Sequence, residues 1–234
     1  MSKKIKNVFY KNLTFEKFVA AHNRAKKNKM FKNEVLNFDL NLESNIITII
    51  RSIKNNTYKV GQYHSFTVYE PKERIIQSLP YRDRVVHQWY VEEFIKPYIM
   101  PKFINTSFAC LPNKGTHKAV DSVQKMMRSY SKKYPDYYIL KCDIKKYFNS
   151  IDAIVLFDIL KKYIDDKALL KFTHIILFEN RPFDTHIGGI PIRKLYQSIF
   201  CKRIFEWTRS IYKTHLAYTK LCSLYGRFYF TTSK

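Results

Sequence analysis

The 234-residue sequence has little glycine, little cysteine and few acidic side chains. Its 5 glycines and 8 prolines exclude collagen-like and glycine-rich architectures. Its 4 cysteines include no Cys-x-x-Cys pair, which argues against a disulfide framework and against a zinc knuckle. No apolar run reaches the roughly 18 to 20 residues of a membrane span, and the start Met1–Lys6 lacks the apolar stretch of a secretion signal. The sequence therefore predicts a cytoplasmic protein with no membrane partner.

Basic residues dominate the charge of the chain. The 42 lysines and arginines against 19 acidic residues give a formal net charge of +23. Such a charge repels itself unless a polyanion neutralises it, which favours nucleic acid as the partner. A hydrophobic content of 46%, with 16% aromatics, also excludes a disordered basic tail and predicts a folded core.

Hydrophobic periodicity predicts a helix-rich α+β chain with a small antiparallel sheet. Helical spacing predicts helices at Thr14–Lys29, Asn41–Lys54, Arg82–Tyr98 (ending near Pro97), from Thr116 onward, and at Asp152–Tyr163 and Asp166–Phe178. Alternation predicts strands at Tyr63–Glu70, Arg74–Leu79 and Tyr137–Asp143. Pro71 lies between the first two strands and ends the first of them, so the two strands are expected to form a hairpin.

Asp143 is the residue with the clearest potential for chemistry. It ends a buried apolar strand, and a carboxylate at a strand tip is a suitable ligand for Mg²⁺. Spacing alone equally allows an aspartate that caps the turn after the strand. The sequence has no zincin histidine pair, no Gly-x-Ser-x-Gly and no glycine-rich phosphate loop, so other common catalytic sites have little support.

Five short segments occur in a fixed order along the chain: Arg82–His87, Ser107–Cys110, Lys114–Ala119, Lys141–Phe148 and Gly188–Ile192. Together they resemble bacterial reverse transcriptases of the group II intron, retron and diversity-generating type, over about residues 58–192. The resemblance implies an RNA-directed DNA polymerase with a right-hand fold, copying an RNA template from a DNA primer with deoxynucleoside triphosphates and Mg²⁺. It divides the chain into a basic helical region (1–57), fingers (58–136), the first part of the palm with its first catalytic motif (137–192) and an aberrant tail (193–234).

The resemblance also implies roles for residues around the nucleotide. Asp143 corresponds to the first catalytic aspartate, a ligand of both Mg²⁺ ions, and the main-chain carbonyl of Ile144 to a second metal contact. Phe148 corresponds to the bulky gate that collides with a ribose 2′-OH, and its alternative is an ordinary core aromatic. Lys72 and Arg74 correspond to basic fingers residues that clasp the triphosphate, although a solvated basic turn explains them equally well.

Five further residues are implied in template and primer binding: Arg82, Arg84, Gly115, Gly189 and Pro191. The alternative for both arginines is an ion pair on the helix surface with Asp83, Glu92 or Glu93. Gly115 precedes a helix whose N-terminus can receive a phosphate, but a simple turn from loop to helix also needs a glycine.

The family pattern stops after Ile192. Where the family has Gly-Asn-x-Thr-Ser-Gln, Arg193–Ser198 reads Arg-Lys-Leu-Tyr-Gln-Ser, and no acidic residue follows Glu206. One choice of codons for Arg193–Ser198, read one nucleotide forward, encodes Gly-Asn-Phe-Thr-Ser-Gln. One choice of codons for Leu221–Phe228, read in the same shifted frame, encodes Tyr-Val-Arg-Tyr-Met-Asp-Asp-Phe, which contains the missing catalytic hairpin motif.

These two matches predict a frameshift near codon 192 or 193, with an early stop after Lys234. Two-metal phosphoryl transfer needs several carboxylates around the ions, so a lone Asp143 predicts a chain that is inactive or nearly so. Only the first strand of the palm sheet is then expected in frame. The alternative function is a non-catalytic RNA-binding module, in which basic helices contact phosphates and aromatic side chains stack on bases.

Overall fold

The structure is a computed structural model that describes residues 4–69, 73–103, 105–108, 111–134, 138–143, 152–179, 220–224 and 227–232. For Arg74 and for the strand residues 138–143, 220–224 and 227–232, except Ile139, only the backbone is described. The described residues group into two compact units, one drawn from 1–101 and 151–197 and the other from 102–150 and 198–234.

The first unit is mainly helical. Its helices are α1 (Phe9–Asn12), α2 (Phe15–Lys26), α3 (Asn33–Leu40), α4 (Leu42–Lys54), α5 (Tyr81–Tyr90), a π-helix (Val91–Ile99), α7 (Ala153–Lys161) and α8 (Lys167–Phe178). Its strands β1 (His64–Val68) and β2 (Arg74–Ser78) form the predicted antiparallel hairpin, with Val68 paired to Arg74 at the loop end. Ile5 adds an isolated parallel bridge to Ile164.

The helix that begins at Tyr81 passes through Pro97 rather than stopping before it. From Val91 it changes to π geometry, and the Met100 N–H donates to the carbonyl of Ile95, five residues earlier. Proline lacks an N–H and crowds the preceding turn, so the wider π turn accommodates Pro97 at less cost than an α-helical turn. A short 3₁₀ turn, Met100–Lys102, then ends the segment.

Aromatic side chains from distant segments make up the core of the first unit. Trp89 is fully buried and stacks on Phe18 at a centroid distance of 4.7 Å. Phe94 and Phe172 meet the same indole edge-on, at 5.2 and 5.6 Å. The indole N–H donates to the carbonyl of Asn12 over 2.8 Å, so the polar atom of the buried ring is satisfied.

The second unit combines α6 (Thr116–Ser131) with β3 (Tyr138–Asp143), β4 (Lys220–Leu224) and β5 (Arg227–Thr232). The three strands form one antiparallel sheet in the order β3-β5-β4, with β5 in the centre. Both β4 and β5 come from the tail after residue 192, so the sheet beside β3 contains strands outside the segment that resembles the family. The sequence of β5, Arg-Phe-Tyr-Phe-Thr-Thr, is rich in aromatic and β-branched residues that favour a strand whatever its origin.

Candidate nucleic-acid interface and the strand that carries Asp143

Asp143 is the last residue of β3, as predicted, and it has a defined partner on the neighbouring strand. The antiparallel register pairs Asp143 with Arg227, the first residue of β5, and the next pair is Cys142 with Phe228. β4 ends at Leu224 and β5 begins at Arg227, so these strands flank a connection of two residues.

The described residues do not by themselves fit a site for two magnesium ions. Within the described part of the chain, no three histidine, cysteine, aspartate or glutamate residues come together as metal ligands. The register partner of Asp143 is an arginine, whose positive charge opposes a nearby divalent cation. Ile144 and Phe148, the other residues implied around the nucleotide, lie outside the described residues.

The β1–β2 hairpin carries the predicted triphosphate contacts at its loop end. Arg74 is the first residue of β2, and Lys72 lies outside the described residues. Gly189 and Pro191 also lie outside them. The hairpin exposes large apolar side chains, with Ile75 65% exposed and Tyr69, just after β1, 73% exposed.

Arg82 is bound to a buried carboxylate rather than held free in solvent. Asp83 is fully buried and accepts hydrogen bonds from the Tyr58 hydroxyl (2.7 Å), the Gly61 N–H (2.9 Å) and Arg82 Nη2 (3.0 Å). Arg82 Nη2 also donates to the carbonyl of Lys59 over 2.8 Å. The structure thus has the pairing with Asp83 that was the alternative to template contact. The Arg82 side chain nevertheless remains 48% exposed, so its outer edge can still reach a phosphate.

Gly61 approaches Asp83 closely enough to exclude any side chain larger than hydrogen. A Cβ atom at Gly61 would lie 2.8 Å from Asp83 Oδ2 and 2.9 Å from a ring carbon of Pro80. Burial, and next the charge of Asp83, raise the pKa of Tyr58 well above its usual value, which keeps its hydroxyl protonated as the donor.

Arg84 pairs with Glu34 on α3, not with Glu92 or Glu93. Its guanidinium also lies over the Tyr81 ring, 5.1 Å from the centroid. Arg84, together with Lys29, forms the cationic part of the lining of a cavity of about 390 Å³ between α2, the end of β2 and α5. The same cavity is lined by polar groups from His87 and Gln88. Arg84 is already paired with Glu34 and the Gln88 amide donates to Glu92, so part of this polar lining is engaged within the protein.

A buried hydrogen-bonded chain holds Tyr81 in place beneath Arg84. The fully buried His22 places Nε2 2.6 Å from Asp39 Oδ1 and Nδ1 3.0 Å from the Tyr81 hydroxyl. A carboxylate only accepts, so neutral His22 carries its proton on Nε2 and Nδ1 accepts from Tyr81. No sequence motif marks this network, because its members come from three helices, and the sequence did not predict one of them, α3.

Burial and hydrogen bonding set the ionisation of this network. Burial lowers the pKa of His22, and the contact with Asp39 offsets only part of that effect. Partial burial by itself would raise the pKa of Asp39, but hydrogen bonds from Lys26 and His22 outweigh it, so that pKa is lowered. Burial raises the pKa of Tyr81 to about 12. At neutral pH the carboxylate is therefore charged, and the histidine and the tyrosine are neutral.

Gly115 has a backbone conformation that L residues rarely adopt. Its φ of 128° and ψ of −173° place it at the N-cap of α6, so Thr116 is the first helical residue rather than the cap. This geometry accounts for glycine by the turn alone. Nearby, the Lys114 ammonium donates to the carbonyl of Asn105 and lies 5.3 Å from the centroid of Phe108, so it is engaged at this turn.

No helix in the described part of the chain is long and apolar enough to cross a membrane. Asp152 is the N-cap of α7, where it accepts from the Ile154 N–H over 2.7 Å, as its position in the sequence predicts.

Comparison with known proteins gives a likeness in fold. No protein-family model matches the sequence, and no curated protein matches it. Two similar solved chains are described as "Partial Cas6-RT-Cas1--Cas2 complex" and "Cas6-RT-Cas1--Cas2 complex", each with a TM-score of 0.54 and 14% identity over 95% of this chain. The chain spans 38% of the first and 23% of the second. At this identity the likeness shows a shared fold with part of those chains and nothing about activity.

Proposed function

We propose that this chain derives from an RNA-directed DNA polymerase of the bacterial reverse transcriptase type and that, as translated, it binds nucleic acid without extending a primer. The ordered motifs between residues 82 and 192 support the origin. The fold shared with chains described as containing RT, the usual abbreviation of reverse transcriptase, agrees with it. The polymerase substrates would be an RNA template, a DNA primer and deoxynucleoside triphosphates.

The observation that carries the proposal is the pairing of β3 with the β4–β5 hairpin. The family has its second catalytic motif, Tyr-x-Asp-Asp, on a hairpin of the palm, and here a hairpin pairs with the strand that ends at Asp143. With the codon choice given above, the shifted reading frame would encode Tyr-Met-Asp-Asp across codons 224–228 of this hairpin. In the translated frame the register partner of Asp143 is Arg227, and no residue of β4 or β5 is acidic.

Each implied site residue keeps its role in the ancestral enzyme under this proposal. Asp143 and the carbonyl of Ile144 would hold Mg²⁺, which when bound would stabilise negative charge on the oxygens of the reacting phosphate. Phe148 would exclude a ribose 2′-OH, and Lys72 and Arg74 would contact the triphosphate.

The remaining implied residues would contact the template and primer. Arg82 and Arg84 would neutralise phosphates, and Gly115, Gly189 and Pro191 would let the main chain approach the nucleic acid. In the translated frame the missing carboxylates prevent nucleotide transfer, so binding is the function that remains.

A non-catalytic RNA-binding module is the second candidate, and the cavity lined by Arg84 and Lys29 favours it. Phosphate contacts of this kind do not depend on the hairpin residues. Binding would then weaken steeply with salt, because each neutralised phosphate releases counterions.

Primer extension separates these functions. The assay uses a poly(rA) template, an oligo(dT) primer, dTTP and Mg²⁺ with three proteins: the present chain, a version from a gene with one nucleotide deleted at codon 193, and that version with Asp143→Ala. We expect background incorporation from the present chain, incorporation from the restored frame, and loss of that incorporation on Asp143→Ala. A filter-binding measurement with the same RNA shows whether the present chain still binds.

Two outcomes would contradict the proposal. Incorporation by the present chain, abolished when Asp143→Ala is made in that chain as a fourth protein, would mean that its catalytic site is complete in the translated frame. A locus whose DNA sequence has no overlapping Tyr-Met-Asp-Asp frame would remove the frameshift.

A further inference from the structure

A second pocket in the first unit combines an aromatic wall with a cationic edge, and Tyr58, the hydrogen-bond donor to Asp83, is one of the residues that line it. The pocket has a volume of about 250 Å³ and lies between α1, the end of α4 and α8. Phe9, Tyr10, Tyr58 and Phe172 supply its aromatic lining. This volume is below the roughly 300 to 1,000 Å³ of most drug-sized ligand sites, so it suits a single flat ring system rather than a large ligand.

Tyr10 is the exposed aromatic of this pocket. Its side chain is 60% exposed, whereas Phe9 beside it is buried at 3%. The two rings meet edge to face at a centroid distance of 5.3 Å, and Phe9 in turn contacts Phe172 at 5.4 Å. Tyr10 is therefore an exposed ring held against a buried aromatic support, and nucleic-acid bases stack on exposed aromatic rings.

Asp166 fastens this aromatic wall to α8. One oxygen of the buried Asp166 carboxylate accepts from the N–H groups of Val8 (2.8 Å) and Phe9 (3.0 Å). The other oxygen accepts from the Leu169 N–H over 3.1 Å and caps α8. Because α1 has only four residues, this carboxylate anchors the start of the helix that carries Tyr10. The pocket is thus preorganised, which lowers the entropic cost of binding.

Two lysines on one face of α8 give the pocket its charge. Lys167 and Lys171 are separated by one helical turn, are exposed, and both line the pocket. Neither forms an ion pair with any acidic side chain in the described part of the chain. The exposed amide of Asn56, which also lines the pocket, offers both a donor and an acceptor.

We propose that this pocket binds one nucleotide of a single-stranded nucleic acid, with its base stacked on Tyr10 and its flanking phosphates at Lys167 and Lys171. The exposed ring of Tyr10 can stack on a base, and the ammonium groups of Lys167 and Lys171 can bind the flanking phosphates. An acidic peptide would satisfy the lysines but leave the exposed tyrosine ring without a flat partner. The site goes beyond the proposed polymerase origin and does not depend on it, because it uses neither Asp143 nor the β4–β5 hairpin.

Fluorescence polarisation with a labelled single strand of about five nucleotides tests the site, since a short probe limits binding elsewhere on the basic surface. Tyr10→Ala should weaken binding by roughly five- to 150-fold, the range for loss of one stacked base, while Tyr10→Phe should keep it. A probe of the same length and charge made of abasic residues should bind Tyr10→Ala and the native chain equally. A thiouridine-containing probe should crosslink to the peptide that contains Tyr10.

The lysines have a matched control on the same unit. Replacing Lys167 and Lys171 by alanine should lower the slope of log affinity against log salt by about 0.7 for each phosphate that the protein no longer neutralises. Lys161→Ala with Lys162→Ala removes the same charge at the end of α7, outside the pocket, and should change affinity by no more than about twofold.

Several results would overturn the proposal. Unchanged affinity in Tyr10→Ala would do so, as would an equal loss for the base-containing and abasic probes. Efficient displacement of the probe by polyglutamate would show that the pocket selects charge and not a base. Since the readout is binding, failure of the primer-extension prediction leaves this test intact, and the reverse also holds.

Discussion

Replacing Asp83 by alanine should destabilise the first unit strongly, because a buried donor and a partly buried donor depend on its carboxylate. The Tyr58 hydroxyl and the Gly61 N–H both donate to Asp83, at 2.7 and 2.9 Å. A buried donor left without an acceptor costs about 1 to 3 kcal/mol, and a hydrogen bond to a charged group contributes about 1.5 to 3 kcal/mol. Arg82 loses less, since its half-exposed side chain can turn toward water.

We therefore expect the free energy of unfolding to fall by about 3 to 5 kcal/mol, which is the usual cost of breaking a buried charged pair by removing one partner. The expected drop in melting temperature is about 10 °C for a chain of this size. Urea denaturation followed by far-ultraviolet circular dichroism measures the change, and the slope against urea should stay constant.

Asp158→Ala is the matched control for this experiment. Asp158 is exposed on α7, so its removal should change stability by no more than about 0.5 kcal/mol. Asp83→Asn keeps one carbonyl acceptor in the same shape and should fall between the two. A loss below about 1 kcal/mol in Asp83→Ala would refute the reasoning, because it would mean that Tyr58 and Gly61 find other acceptors.

Three further predictions concern pH and the N-terminal anchor. Burial lowers the pKa of His22, so near pH 6.5 the unfolded chain binds a proton that the folded chain does not. The free energy of unfolding should therefore fall as the pH drops below 6.5. His22→Gln should flatten this pH dependence in urea titrations. Because burial raises the pKa of Tyr81 from 10.0 to about 12, the unfolded chain loses its proton first, so stability should fall as the pH rises above 10, and Tyr81→Phe should reduce that loss. Asp166→Ala removes the cap of α8 and the acceptor for the N–H groups of Val8 and Phe9, so the free energy of unfolding should fall by about 2 to 4 kcal/mol. Hydrogen exchange at those two amides should also become faster. Unchanged exchange would contradict the anchoring role of Asp166.

Local pattern predicted most of the helices and the β1–β2 hairpin. α4 follows from the spacing of its buried isoleucines, and β1 and β2 follow from alternation on either side of Pro71. α3 was missed because Asn33–Leu40 mixes polar and apolar residues without a clear stripe, and only two of its side chains are buried. Its position depends on packing against two other helices, since Glu34 reaches Arg84 on α5 and Asp39 reaches His22 on α2.

The sequence placed Asp143 at the end of a strand but did not predict what that strand pairs with. Local pattern reports the neighbours of a residue along the chain, and the partner of Asp143 is Arg227, far away in sequence. The same limit applies to Arg82 and Arg84. Sequence reasoning left both a phosphate contact and an ion pair open, and packing selected Asp83 for one arginine and Glu34 for the other.

By itself the amino-acid sequence determined the excess of positive charge, the ordered motifs and the elements whose periodicity is strong. These properties belong to composition and to contacts within a few residues, which survive without knowledge of the fold. The tertiary structure alone decided that the tail adds two strands beside Asp143, that Asp83 unites Tyr58, Gly61 and Arg82, and that Tyr10 and α8 enclose a second pocket. Those features depend on which distant segments are brought together when apolar surface is buried, and no local pattern encodes that choice.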